Sequence, residues 1–179
     1  MYKRQQILLL SILVISSKNR IYASEITDSS SYYENCNNSV QLFPEVIELF
    51  KNNQVTRSVN SSSIYTNNYA GSFIDENGIL NVGYLQSVNF SSYGDQVQYI
   101  QREFSYNYLL EVKDTISEIM IEYDVYMVGI DEEENEVDVY VASQSIANNI
   151  IAYLQEVNLY DEDAIHFNID SANCVAPTS

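Results

Sequence analysis

The apolar residues of this chain change their spacing along its length, and that change constrains the fold more than any single motif. From Glu136 to Val141, apolar and polar residues alternate. Val137, Val139 and Val141 fall on one side and Glu136, Asp138 and Tyr140 on the other, the pattern of a strand with one buried face. Upstream, Leu109, Val112, Ile116, Ile119, Met120 and Tyr123 recur at spacings of three and four. That period predicts an amphipathic helix, with Ser105 placed to cap its N-terminus. Downstream, Ile146, Ile150, Leu154 and Val157 repeat the helical spacing, and residues 164–169 return to alternation.

The two-residue period also governs the stretch that begins at Tyr69. Tyr69, Gly71 and Phe73 oppose Ala70, Ser72 and Ile74, and Leu80, Val82 and Tyr84 resume the pattern after Asp75-Glu76-Asn77-Gly78. This predicts a β-hairpin in which Gly78 takes the left-handed position of the turn. Residues 96–104 alternate less cleanly and predict a further strand. A second hairpin pairs residues 125–131 with 136–141 across the acidic turn Glu132-Glu133-Glu134-Asn135. The order is hairpin, strand, helix, hairpin, helix, strand. It predicts an α+β domain, a largely antiparallel sheet with helices packed on it, over residues 64–179.

The N-terminal third reads differently. Lys3 and Arg4 precede the apolar run of residues 7–15, and small residues follow at Ala23 and Ser24. This is the three-part pattern of a secretory signal, assigned to residues 1–23. The run breaks at Ser16, Ser17 and Lys18, short of the roughly 20 apolar residues that a membrane span needs. Residues 24–63 read as a Ser/Asn-rich arm with a short helix over residues 43–50, with Pro44 in its first turn.

Export sets the charge and cysteine arguments. Beyond residue 23 only Lys51, Arg57, Arg102 and Lys113 stand against all 25 acidic residues. Such a surface repels phosphate backbones and anionic lipid, which excludes nucleic acid as a partner and, after signal cleavage, the membrane. Cys36 and Cys174 lie in a chain bound for an oxidising compartment, where a disulfide between them can persist. The sequence leaves open whether it forms, since pairing needs Cα atoms within about 7 Å.

No chemistry stands out. The acids from Asp131 onward fail the calcium-loop pattern, because Glu136 and Ala142 occupy the positions that require glycine and a bidentate acid. They read instead as a solvated turn. His166 sits in an alternating apolar strand and reads as structural. There is no Gly-x-Ser-x-Gly, no phosphate loop and no spacing that selects one acid pair. The expectation is therefore no catalytic residue, no metal and no cofactor. The 16 tyrosines, with no tryptophan, suit strand positions or an interface.

One resemblance emerges from the order of these pieces. Tyr69-Ala70-Gly71-Ser72-Phe73-Ile74-Asp75, the turn through Gly78 and Leu80-Asn81-Val82 come first. Phe104-Ser105-Tyr106-Asn107-Tyr108-Leu109-Leu110 follows, then Val128-Gly129-Ile130-Asp131 with Asn135 and Val137-Asp138-Val139. This series resembles the pro-region of secreted bacterial chymotrypsin-like serine proteases of the streptogrisin and alpha-lytic protease type. In that family the pro-region assists folding of its protease and then inhibits it, by pairing a strand with a protease hairpin and laying its tail in the active-site cleft. The resemblance implies that the strand Glu136–Val141, with Glu136, Asp138 and Tyr140 outward, or a neighbouring edge, docks a protease. It places residues 173–179 nearest the cleft. No protease domain follows within the chain, so no catalytic triad carries over. The implied role is a secreted, non-enzymatic chaperone or inhibitor of a separately encoded serine protease. An exported surface or structural interaction module, or the remnant of a truncated protease precursor, are the alternatives.

Overall fold

A computed structural model describes residues 29–51 and 64–170. The predicted signal, Cys174 and the tail of residues 173–179 lie outside the described residues, so the Cys36–Cys174 pairing is not addressed. Cys36 itself is half-buried on the first helix.

The fold is α+β. Helix α1 (Ser29–Ile47) runs into a short 3-10 turn (Glu48–Phe50), followed by β1 (Tyr69–Ile74), β2 (Leu80–Tyr84) and β3 (Val97–Gln101). Then come α2 (Tyr106–Ile119), β4 (Val125–Asp131), β5 (Glu136–Val141), α3 (Gln144–Glu156) and β6 (Ile165–Ile169). The strands form two three-stranded sheets, ordered β1-β2-β3 and β4-β5-β6. In each, the first two strands make an antiparallel hairpin and the third joins parallel to the second. Both hairpins carry a bulge in their first strand, between Tyr69 and Ser72 and between Val125 and Met127. The chain thus repeats one plan, helix, hairpin, connection and parallel strand.

A parallel return needs a long crossover, and the two halves supply it differently. In the second half α3 is the crossover. Ser143 caps it by accepting from the Ile146 amide at 3.4 Å, and Ala147, Ile150 and Leu154 are buried against Val137, Val139 and Val141. Helix α2 completes this core with Leu109, Val112 and Ile116, and Ser105 caps it by accepting from the Tyr108 amide at 3.1 Å. Each fully buried Leu or Ile contributes about 1.5–3 kcal/mol relative to exposure. In the first half the crossover, residues 85–96, is mostly irregular and fills its space with aromatics. Phe90 stacks on Tyr99 with ring centroids 4.1 Å apart and lies against Phe50 and Tyr84.

The first helix differs from the expected one. It begins at Ser29 rather than near Phe43, and Pro44 lies inside it rather than in its first turn. Its Ser- and Asn-rich sequence has weak intrinsic helicity, so tertiary packing holds it. Val46, Ile47 and, in the following turn, Phe50 are buried among Tyr69, Leu80, Val82 and Val97. Ser39, 1% exposed, donates its hydroxyl to the Gly78 carbonyl at 2.7 Å, and the Asn35 side chain donates to the Asn77 carbonyl at 2.9 Å. Gly78 has φ +78°, as its turn requires, and a Cβ there would lie 2.7 Å from the Asn35 Cβ. The glycine therefore serves the turn and the close approach of α1 together.

Candidate functional site

The two halves meet where the second hairpin turn docks on the first sheet. At the β1 bulge, Gly71 adopts φ +98°, and a Cβ there would fall 3.1 Å from Glu132 Oε2. The missing side chain lets Glu132 reach the backbone, where its carboxylate accepts from the Ser72 amide. Three residues on, Asn135 is 4% exposed with φ +64°. It accepts from the Phe104 amide at 2.9 Å and donates to the carbonyls of Phe104 at 3.0 Å and Ala70 at 3.3 Å. Arg102 completes the junction, with a bond to the Glu133 carbonyl at 2.6 Å and its guanidinium 5.9 Å from the Phe73 ring centre. The acidic turn was expected to be solvated throughout. Glu133 and Glu134 are exposed, but Glu132 and Asn135 turn inward, because β1 presents backbone donors and acceptors that they satisfy.

Beside this junction lies a cleft of about 370 Å³ between α1, β1, the start of α2 and the turn. Tyr65, Tyr69 and Tyr106 form its aromatic wall, with ring centroids 4.5 Å (Tyr65–Tyr69), 5.5 Å (Tyr69–Tyr106) and 6.0 Å (Tyr65–Tyr106) apart. Glu132 is the one charged residue in its lining. Burial pushes the Glu132 carboxyl above its usual range, and the Ser72 amide only partly opposes this. Burial also pushes the Tyr69 phenol well up, against the hydrogen bond with the Ser72 hydroxyl. Tyr106 shifts the same way, from burial first and the Glu132 charge second. The site offers one carboxylate, phenolic hydroxyls and π faces. It suits recognition of a group that is cationic and flat.

The strand expected to dock a partner has no open edge. β5 is the middle strand, antiparallel to β4 on one side and parallel to β6 on the other, so its backbone cannot pair with another chain. Glu136, Asp138 and Tyr140 do point away from the core, and all three are half-buried. On that face the Asn168 side chain donates to Asp138 at 2.6 Å, and His166 Nδ1 lies 4.0 Å from Glu136 Oε1. The edges of this sheet are β4 and β6. Among the described residues no group of three His, Cys, Asp or Glu side chains is placed to hold a metal ion. A second hollow, between the end of α2 and α3, carries Glu122, Asp124 and Glu156.

Glu132, Asn135 and Gly71 were missed as site residues because nothing local distinguishes them from turn and strand residues. The sequence signal was slight: a glycine at an inward strand position, and an asparagine ending an acidic turn. No protein-family model matches the chain, and no curated protein sequence matches it.

Proposed function

We propose that this chain is a secreted, non-catalytic binding module of the protease pro-region kind, which holds a serine protease as its chaperone or inhibitor. The observation that supports this reading is the edge strand β6. It lies parallel to β5, and no described strand pairs with its outer side. An edge of this kind binds an extended segment through main-chain hydrogen bonds, with alternate side chains setting specificity. The docking edge is thereby moved from β5 to its neighbour, and the outward face of Glu136, Asp138 and Tyr140 flanks it. The order of motifs from Tyr69 to Val141 supplies the protease as the partner class. The test is affinity capture of secreted proteins on the immobilised chain, followed by titration of any captured serine protease. Dose-dependent loss of proteolysis is the expected result. Failure to retain any protease from a secretome with demonstrable serine protease activity would sink the proposal.

A further inference from the structure

The cleft beside Glu132 lies apart from the β6 edge and calls for its own occupant. Its volume of about 370 Å³ falls at the low end of the roughly 300–1,000 Å³ of small-ligand sites. That is room for a long side chain, and little for a cofactor. Its single charged lining residue is the half-buried Glu132, whose Oε2 accepts from the Ser72 amide. Among the described residues no cation pairs with this carboxylate. Lys51 is bonded to Glu48, Lys113 to Asp114 at 2.6 Å, and Arg102 to the Glu133 carbonyl. An apolar occupant would strip water from the carboxylate without replacing it, which is costly. A metal ion would find one protein carboxylate where such ions take several oxygen ligands.

We infer that the cleft receives an arginine side chain carried by an extended basic segment of a partner protein, its guanidinium set between the Glu132 carboxylate and the rings of Tyr65, Tyr69 and Tyr106. The planar guanidinium both forks to a carboxylate and stacks on aromatic faces, whereas a lysine ammonium is compact and strongly hydrated. At the rim, Val40 and Ile74 are 61% and 36% exposed and offer apolar contact to the arginine stem. A segment is favoured over a free small molecule because Glu133 and Glu134 lie exposed beside Glu132, where they attract neighbouring basic residues. The chain as a whole carries a net charge of −17, which speeds the approach of such a segment. The assignment does not depend on the partner being a protease.

The experiment is calorimetric titration of the full chain with three probes: a blocked Gly-Arg-Gly-Arg-Gly peptide, the same peptide with citrulline for arginine, and blocked arginine alone. Tyrosine emission gives a second readout, since the chain has no tryptophan. The arginine peptide is expected to bind at least tenfold more tightly than either other probe. Glu132→Gln and Tyr106→Leu should each weaken it at least fivefold, with circular dichroism confirming that each variant is folded. Glu132→Gln keeps an acceptor for the Ser72 amide, so it separates loss of charge from loss of fold. Equal binding of the arginine and citrulline peptides, or an affinity unchanged by Glu132→Gln, overturns the site. Blocked arginine binding as tightly as the peptide overturns the partner segment.

Discussion

Asn135→Ala should destabilise the protein far more than a residue in an exposed acidic turn normally could. The side chain makes three hydrogen bonds that cross from the second hairpin to the first sheet and the start of α2. Alanine leaves the Phe104 amide and the carbonyls of Phe104 and Ala70 without those partners, and Ala70 is 1% exposed. A buried group left unsatisfied costs about 1–3 kcal/mol. The less buried Phe104 groups can recover water, which leaves one effective loss, that of the Ala70 carbonyl. Alanine must also hold the left-handed conformation at φ +64°, which costs about 1 kcal/mol more than a residue suited to it. Together these give a loss of about 2–4 kcal/mol. With a urea slope of about 2 kcal/mol/M, the unfolding midpoint should fall by about 1–2 M. Asn135→Gly separates the two causes, since glycine removes the hydrogen bonds without the conformational cost and should be about 1 kcal/mol more stable than the alanine variant. Equilibrium urea unfolding followed by circular dichroism measures both. A loss under about 1 kcal/mol for Asn135→Ala, or a glycine variant less stable than the alanine one, refutes the argument.

Three further outcomes follow from the packing. Gly78→Ala should cost about 2–4 kcal/mol, from left-handed strain and from the overlap with Asn35, and hydrogen exchange should show α1 losing protection; a cost near 1 kcal/mol with α1 unaffected would mean the glycine serves the turn alone. Tyr99→Phe should leave stability unchanged or raise it by up to about 1 kcal/mol in thermal unfolding, because the Tyr99 hydroxyl is buried without a partner among the described residues; a clear loss contradicts this. Because burial raises the Glu132 carboxyl pKa, the folded state holds that proton more tightly than the unfolded chain does. Its contribution is present below the ordinary glutamate value of about 4.3 and is lost as pH rises through the raised one. Glu132→Gln should therefore gain stability relative to the parent over that interval, and a constant gap across it rules the linkage out.

The amino-acid pattern alone carried the α+β class, both hairpins, the cap at Ser105 and the buried faces of α2 and β5; on α3 it found Ile150 and Leu154, but it also placed Val157 on that face, which is 41% exposed past the helix end, and passed over the buried Ala147. Each of these is a local property. A period of two or of three to four records which face of an element is buried, and a glycine or serine at a boundary records the backbone it must adopt. Tertiary structure decided what those elements meet. Val97 and Ile165 open strands whose apolar spacing is the same for either pairing direction, so the parallel returns and the division into two sheets rest on contacts between distant residues. The Ser- and Asn-rich α1 has little helical preference of its own and is held by Ser39, Val46, Ile47 and Phe50 against β1 and β2. Glu132 and Asn135 belong to a run of turn residues that all suit solvent. They point inward because the bulge at Gly71 and the free backbone groups of Ala70, Ser72 and Phe104 satisfy them. A polar side chain is buried only where a partner awaits it, and that partner lies far away in the chain.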